Sequence, residues 1–466
     1  MFLKTNFAKI ISIIFSVLFL NACASGGVIP GAPPQSTPPS STLSPRGDIV
    51  VQSNSPIISE LNSRLELCKL EGVPRVRQSG FDCVSLLYGT NRGPKQDSDS
   101  FYGNAPLPIG SPTVLGEVVV TIPQDHQAGD DIRGASGPVE NSEISYRSTF
   151  YAIWGGENGP KELTREEFRL FVKHKLDGNL NPAKTALVFV HGFNVSFESA
   201  AYNTAQLKTD LNIAGPVFFF SWPSNGKTSH YIHDQQDADL SAENLANFLK
   251  LVKSAVGEDT SLNIVGHSMG HRVIGQAFNL IRTSGSHTEP IFDLGVFASA
   301  DLDENLFEKW IIGSPSWPPI VKRSILYVTD DDRALVASKE LLFDDCDYQD
   351  PKYRVGLITK KDCVSGERRV SVFGSLSETI DLSTEPGEKV LGIFGKNHNK
   401  YTKSPKVICH MLRLLDGGKV ARSIEGDIVQ RVENNGQRYW SANSNRPINW
   451  GEDCRKESTH NLQAQF

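Results

Sequence analysis

Between residues 84 and 416, short apolar runs rich in β-branched and aromatic residues alternate with stretches that carry apolar residues at helical spacing. Nothing else in the sequence narrows the fold as far. The runs are Val84–Tyr88, Gly116–Ile122, Thr149–Trp154, Ala186–Val190, Val217–Trp222, Leu262–Val265, Leu294–Ser299, Ser324–Thr329 and Glu378–Leu382. Most are apolar on both faces, so each strand needs cover above and below. The helical stretches supply that cover. Thr164 and Glu167 have capping-box spacing ahead of Phe168, Phe171 and Val172. Further helices are predicted over Glu198–Leu211, Ser241–Val256, Met269–Ile281 and Pro405–Leu415. The alternation predicts an α/β fold with a mostly parallel central sheet and helices on both faces. A length of 466 residues suggests about three domains. With no internal repeat, the reading is one large α/β domain over 84–416. A short extension at 48–83 precedes it, and another follows at 417–466.

Residues 1–22 read as a targeting segment: Lys4 and Lys9, then an apolar run from Ile10 to Leu20. The run falls short of the roughly 20 residues that a bilayer-spanning helix needs. It ends in Leu20-Asn21-Ala22-Cys23, which resembles the bacterial lipobox. That resemblance implies cleavage before Cys23 and acylation of its thiol. Each buried methylene of an acyl chain adds roughly 0.8 kcal/mol of membrane affinity. Ala24 resembles the pattern of envelope lipoproteins sent to the outer membrane. Residues 23–47 hold six prolines among Ser, Thr and Gly and read as a flexible tether.

Seven cysteines leave six once Cys23 is set aside: Cys68, Cys83, Cys346, Cys363, Cys409 and Cys454. An even number in an exported chain suggests disulfides. Nearest-neighbour pairing (68–83, 346–363, 409–454) is the expectation. No Cys-x-x-Cys or Cys/His cluster marks a metal site. The formal charge of -6 and the lack of a long basic run argue against nucleic acid as a partner.

Gly266-His267-Ser268-Met269-Gly270 lies between a predicted strand and a predicted helix. This G-x-S-x-G pattern makes a sharp turn that presents a serine hydroxyl above the sheet edge. The start of the following helix favours negative charge beside Ser268. His191-Gly192-Phe193-Asn194 follows another apolar strand. An H-G turn there can aim a backbone amide at an oxyanion. The expected donors are the N–H groups of Phe193 and Met269, with Asn194 as the next choice.

Together these segments make the chain resemble a bacterial group of uncharacterised α/β-hydrolase proteins. The resemblance is carried by Leu187–Asn194, Phe220–Ser224, the serine turn, Ser324–Leu335 and His398–Tyr401, with Tyr88–Arg92 and Ile122–His126 matching the N-terminal strands. It implies a hydrolase whose catalytic residues follow in the order Ser, acid, His. After Ser268, Asp332 is placed first as the acid and Asp301 second. Asp330 and Asp331 are adjacent to the first choice. His398, in the loop before the last helix, is the expected base. His271 and His410 read as helix residues, and His287 comes before the acid. His230 and His233 read as loop residues that could line a cleft. Residues 345–366 read as a disulfide-closed insertion.

The expectation is a membrane-anchored serine hydrolase acting on a small-molecule or lipid ester, with no metal or cofactor. A non-catalytic lipoprotein that uses the fold for binding or scaffolding is the alternative.

Overall fold

The computed structural model describes residues 56–71, 81–94, 101–123, 126–129, 153–154, 160–176, 184–225, 228–285, 288–314, 318–342, 353–360, 362, 364–373, 377–385, 397–415, 428–432 and 438–442. Of the two units into which the chain divides, these all belong to Val51–Phe466. The targeting segment, Cys23, the tether, His287, Cys346, Cys363 and Cys454 lie outside the described residues.

The elements run α1 (Pro56–Glu71), β1 (Phe81–Thr90), β2 (Arg92–Pro94), β3 (Tyr102–Pro106), β4 (Val114–Pro123), β5 (Ile153–Trp154), β6 (Lys161–Leu163), α2 (Arg165–Lys175), β7 (Thr185–Val190), α3 (Phe197–Asp210) and β8 (Val217–Ser221). They continue with α4 (Tyr231–Leu240), α5 (Ala242–Val256), β9 (Ser261–His267), α6 (Gly270–Thr283), β10 (Phe292–Ala298), α7 (Glu304–Phe307), β11 (Val321–Val328) and α8 (Arg333–Leu342). The last are β12 (Ser377–Asp381), α9 (Lys400–Lys403), α10 (Pro405–Leu415), β13 (Ile428–Val432) and β14 (Arg438–Ala442).

The main sheet has the order β13-β14-β12-β11-β10-β9-β7-β8-β1-β4-β5, with β6 also on β4. From β14 through β1 the pairings are all parallel. Antiparallel pairs flank this block on both sides. The expected α/β-hydrolase fold is the one observed. The order of connection reverses at β7, with β8 on one side and β9 on the other. In open α/β sheets, that reversal is where the carboxyl ends of the strands leave a crevice.

Two clusters of buried apolar side chains cover the two faces. One gathers Phe168, Phe218, Phe220, Trp222, Phe248 and Phe278; the other Tyr88, Phe189, Phe197, Phe219, Tyr327 and Met411. The alternation of Phe218, Phe219 and Phe220 between clusters is the period-2 pleat of a strand buried on both sides. The capping box forms as expected: Glu167 N donates to Thr164 Oγ1 at 3.2 Å, and Thr164 N to Glu167 Oε2 at 2.8 Å. Such a cap stabilises by about 1 kcal/mol.

Three elements depart from the sequence reading. Residues 231–240 form a helix where a loop was expected. Its sequence is too polar to show a helical stripe, but Asp234 and Asp237 are buried against partners. The segment after 417 adds β13 and β14 to the edge of the main sheet beyond β12. Within the insertion, residues 353–360 run beside the ends of β10 and β11. Val355 N donates to Leu302 O, Gly356 N to Ala300 O, Thr329 N to Gly356 O and Ile358 N to Thr329 O. Tyr353, Val355, Leu357 and Ile358 are buried. This stretch buttresses the loops after two strands.

Candidate active site

Because the strands are parallel, the loops that follow β7, β9, β10, β11 and β12 all emerge at one edge of the sheet. Ser268 sits on the turn between β9 and α6 with φ +52. A non-glycine residue at positive φ is strained, and such strain concentrates at functional sites. The turn is tied down by its neighbours. Ser268 N donates to Ala298 O, while Ser268 O accepts from the amides of His271 and Asp301 and from His271 Nδ1 at 2.7 Å.

Two glycines permit this arrangement. A Cβ on Gly270 would lie 2.4 Å from His191 O, and one on Gly192 would lie 2.6 Å from Ser268 Cβ. The His191–Asn194 loop therefore lies directly against the serine. Among the described residues, the backbone N–H groups of Phe193 and Met269 meet no protein acceptor.

His398 Nδ1 donates to Asp332 Oδ2 at 2.7 Å. Asp332 is fully buried, and the His398 side chain is 12% exposed. The second oxygen, Asp332 Oδ1, accepts from Leu335 N at 3.1 Å and caps α8. Both oxygens thus have defined partners. The His398 backbone carbonyl accepts from Ser299 Oγ at 2.9 Å and from His267 Nε2 at 3.3 Å. The His267 ring lies 4.7 Å from that of His398. Ser299 is itself at positive φ, +48. Among the described residues no hydrogen bond joins the Ser268 hydroxyl to His398. Such contacts are often long before substrate binds.

Asp301, the alternative acid, is engaged elsewhere. It accepts from Tyr231 Oη at 2.7 Å and from Ser338 Oγ at 2.6 Å, and Arg354 Nε lies 3.2 Å away. Asp330 is also occupied apart from the imidazole, facing Lys360 at 3.6 Å. Asp331 faces Lys400 at 2.9 Å.

Behind the His191–Asn194 loop lies a polar network that the sequence reading did not single out. Arg92 is fully buried. Its Nη2 donates to Val195 O at 2.7 Å, its Nε to Ser221 Oγ at 2.8 Å and its Nη1 to Ser224 O at 3.3 Å. Ser224 Oγ accepts from Asn194 N at 2.7 Å and donates to Asp234. Burial lowers the Arg92 guanidinium to about 10, against the pull of Glu198, Asp234 and Asp237. Burial, reinforced by Arg92, also holds His191 down at about 3. His191 is therefore a neutral ring. It stacks on Trp222, whose Nε1 donates to His191 O at 2.8 Å. Only the Tyr88–Arg92 and Phe220–Ser224 segments, noted for their resemblance, hinted at this network.

The other histidines take structural places. His271 is buried beneath the turn, and burial lowers it to about 4. His410 is buried on α10 with Nδ1 2.6 Å from Tyr327 Oη. His233 is largely exposed and pairs with Asp237 at 3.0 Å.

A family model described as "Alpha/beta hydrolase of unknown function (DUF900)" matches residues 168–415. No curated protein sequence matches the chain. Among solved structures, the thermostable carboxylesterase EstE1 from a metagenomic library is 10% identical. That match covers 79% of this chain and 97% of that one with a TM-score of 0.29. A hyperthermophilic esterase from the archaeon Pyrobaculum calidifontis is 11% identical, covering 60% and 76% with a TM-score of 0.22. Likenesses this distant carry no argument about activity.

Proposed function

The chain belongs to the family of α/β-hydrolases of unknown function, and from that premise we propose that it is a serine hydrolase cleaving carboxylic esters. The observation that carries the proposal is the buried His398–Asp332 pair at the same sheet edge as the strained Ser268 turn.

In this reading Ser268 Oγ attacks the ester carbonyl carbon as its proton passes to His398 Nε2. Asp332, bonded at Nδ1, fixes the tautomer and stabilises the imidazolium. The oxyanion accepts from the amides of Phe193 and Met269, each such donor contributing roughly 2.7–4 kcal/mol in the transition state. The imidazolium then protonates the departing alkoxide. A water, deprotonated by the same ring, attacks the acyl-enzyme and releases the acid. None of these steps calls on a metal or cofactor.

A fluorophosphonate probe tests the proposal. Wild type should be labelled and Ser268→Ala should not; equal labelling of both, or of neither, removes the serine mechanism. A panel of ester and amide substrates then separates esterase from amidase activity.

The same proposal places the protein in a bacterial cell envelope, lipid-anchored in the outer membrane through acylated Cys23. The disulfides expected of the six remaining cysteines belong to the same proposal, since such bonds persist in an oxidising compartment. No helix among the described residues is long and apolar enough to cross a membrane. Cys23→Ala should shift the protein from the membrane to the soluble fraction; unchanged fractionation removes the anchor.

A further inference from the structure

Lys400 is a lysine buried to 2% exposure two residues after His398. Burying an ammonium is costly unless it is paired and hydrogen-bonded. Here Nζ lies 2.9 Å from Asp331 Oδ1 and donates to Asp331 Oδ2 at 3.1 Å. It also donates to Thr329 Oγ1 at 3.3 Å, Leu382 O at 3.0 Å and Ser383 O at 3.2 Å. One cation therefore joins three chain segments: the loop after β11, the loop after β12 and the start of α9.

The segments it joins carry both halves of the His398–Asp332 pair. Asp331 precedes Asp332 in the chain. On the other side Asn397, which precedes His398, donates from Nδ2 to Asp331 Oδ2 at 2.8 Å. The residues at 397 and 400 are both held by the Asp331 carboxylate, so the chain between them has little freedom. Asn397 is at φ +67, a conformation that the contact with Asp331 helps to hold. The acid loop is also fixed from the far side, where Asp330 N donates to Ser383 Oγ at 3.0 Å. Among the described residues, Lys400 makes no bond to Ser268, His398 or Asp332.

We propose that Lys400 and Asp331 are positioning residues: the ion pair clamps the acid loop to the base loop and so sets the reach of His398 toward Asp332. The proposal rests on the Ser268–His398–Asp332 reading. It gives the consecutive aspartates divided work: Asp332 orients the imidazole, and Asp331 holds the loop that carries it. A purely structural ion pair would act on stability and leave turnover per folded molecule unchanged.

The test uses the full-length protein with Lys400→Met, Asp331→Ala and the double variant. Lys406→Met, which breaks the nearby 3.4 Å pair with Glu385, is the control. Proton NMR follows the low-field resonance of the His398 Nδ1 proton, assigned by its loss in Asp332→Asn. Ester turnover gives kcat and KM. The clamp predicts that both single variants lose the resonance and drop kcat about 10²-fold, the scale of a displacement near 1 Å. KM should stay within about threefold. The double variant should be no worse than either single one, because both remove the same clamp. The control should keep resonance and kcat.

A resonance and kcat that survive in Lys400→Met overturn the clamp, even if that variant melts lower. A wild-type protein that lacks the resonance overturns it too. If wild type shows the resonance but neither turns over an ester nor takes the probe, the hydrolase reading fails and the resonance alone decides the clamp.

Discussion

Replacing Asp332 and Asp301 by asparagine, one at a time, should have opposite consequences. Asp332 Oδ2 faces His398 Nδ1 at 2.7 Å, and Oδ1 caps α8. Asparagine can keep the cap through its own oxygen. Its NH₂ then points at the imidazole and donates to Nδ1. That forces the proton onto Nε2, the nitrogen that must accept from Ser268. A tautomer error of this kind costs about 10⁴ in kcat, or about 5.4 kcal/mol of transition-state stabilisation. Asp332→Asn should therefore melt near wild type while its kcat falls about 10⁴-fold. Asp301 makes the contrary case. It is buried between Arg354 at 3.2 Å, Tyr231 and Ser338. Removing one partner of such a buried pair costs about 3–5 kcal/mol of stability. Asp301→Asn should melt several degrees lower, yet keep its turnover per folded molecule. The assay is ester hydrolysis on folded protein, titrated by active-site labelling, beside a thermal melt. A fully active Asp332→Asn refutes the assignment. So does an Asp301→Asn variant that loses 10⁴-fold in kcat with an unchanged melt.

Further outcomes are expected. Gly192→Ala places a Cβ 2.6 Å from Ser268 Cβ, so probe labelling should slow by about 10²-fold or more; labelling at the wild-type rate would mean the loop can retreat without cost. Ser268→Gly relieves a φ of +52 and should melt higher than Ser268→Ala by about 1 kcal/mol, both being inactive; equal melts would mean the turn is unstrained. Stability should also fall on acidification. His191, His271 and His410 are held down to about 3, 4 and 3 by burial first of all. They are neutral in both states above pH 6.5. Below it only the unfolded chain takes up their protons, so stability drains from pH 6.5 toward the folded values. The slope reaches about 4 kcal/mol per pH unit for three protons. Denaturant titrations at several pH values measure it, His410→Gln should flatten it by about a third, and a level profile from pH 7 to 5 would contradict it.

The parallel sheet and the serine turn were legible because each is a local pattern. Ala186–Val190 and Val217–Phe220 are apolar at every step, which only a doubly covered strand tolerates. The Gly266–Gly270 turn announces itself by glycines flanking a serine between a strand and a helix. Helix α4 was not legible, because Tyr231–Leu240 is polar on nearly every face. Its buried aspartates make sense only beside Ser224 and Asn225. Sequence likewise could not divide the roles of Asp301, Asp330, Asp331 and Asp332. All four follow strands at the same sheet edge, and chain order admits each of them.

What the chain determines by itself is the order of its elements and the chemistry available at each strand end. Hydrophobic period and turn geometry act over a few residues, so they can be read along the line. What only the tertiary structure decides is which polar groups meet. The pairing of Asp332 with His398 spans 66 positions, that of Arg92 with Val195 spans 103, and Lys400 meets Thr329 across 71. Such bonds form because parallel strands deliver distant loops to one edge. There, burial leaves each charge a choice only among the neighbours that the fold provides.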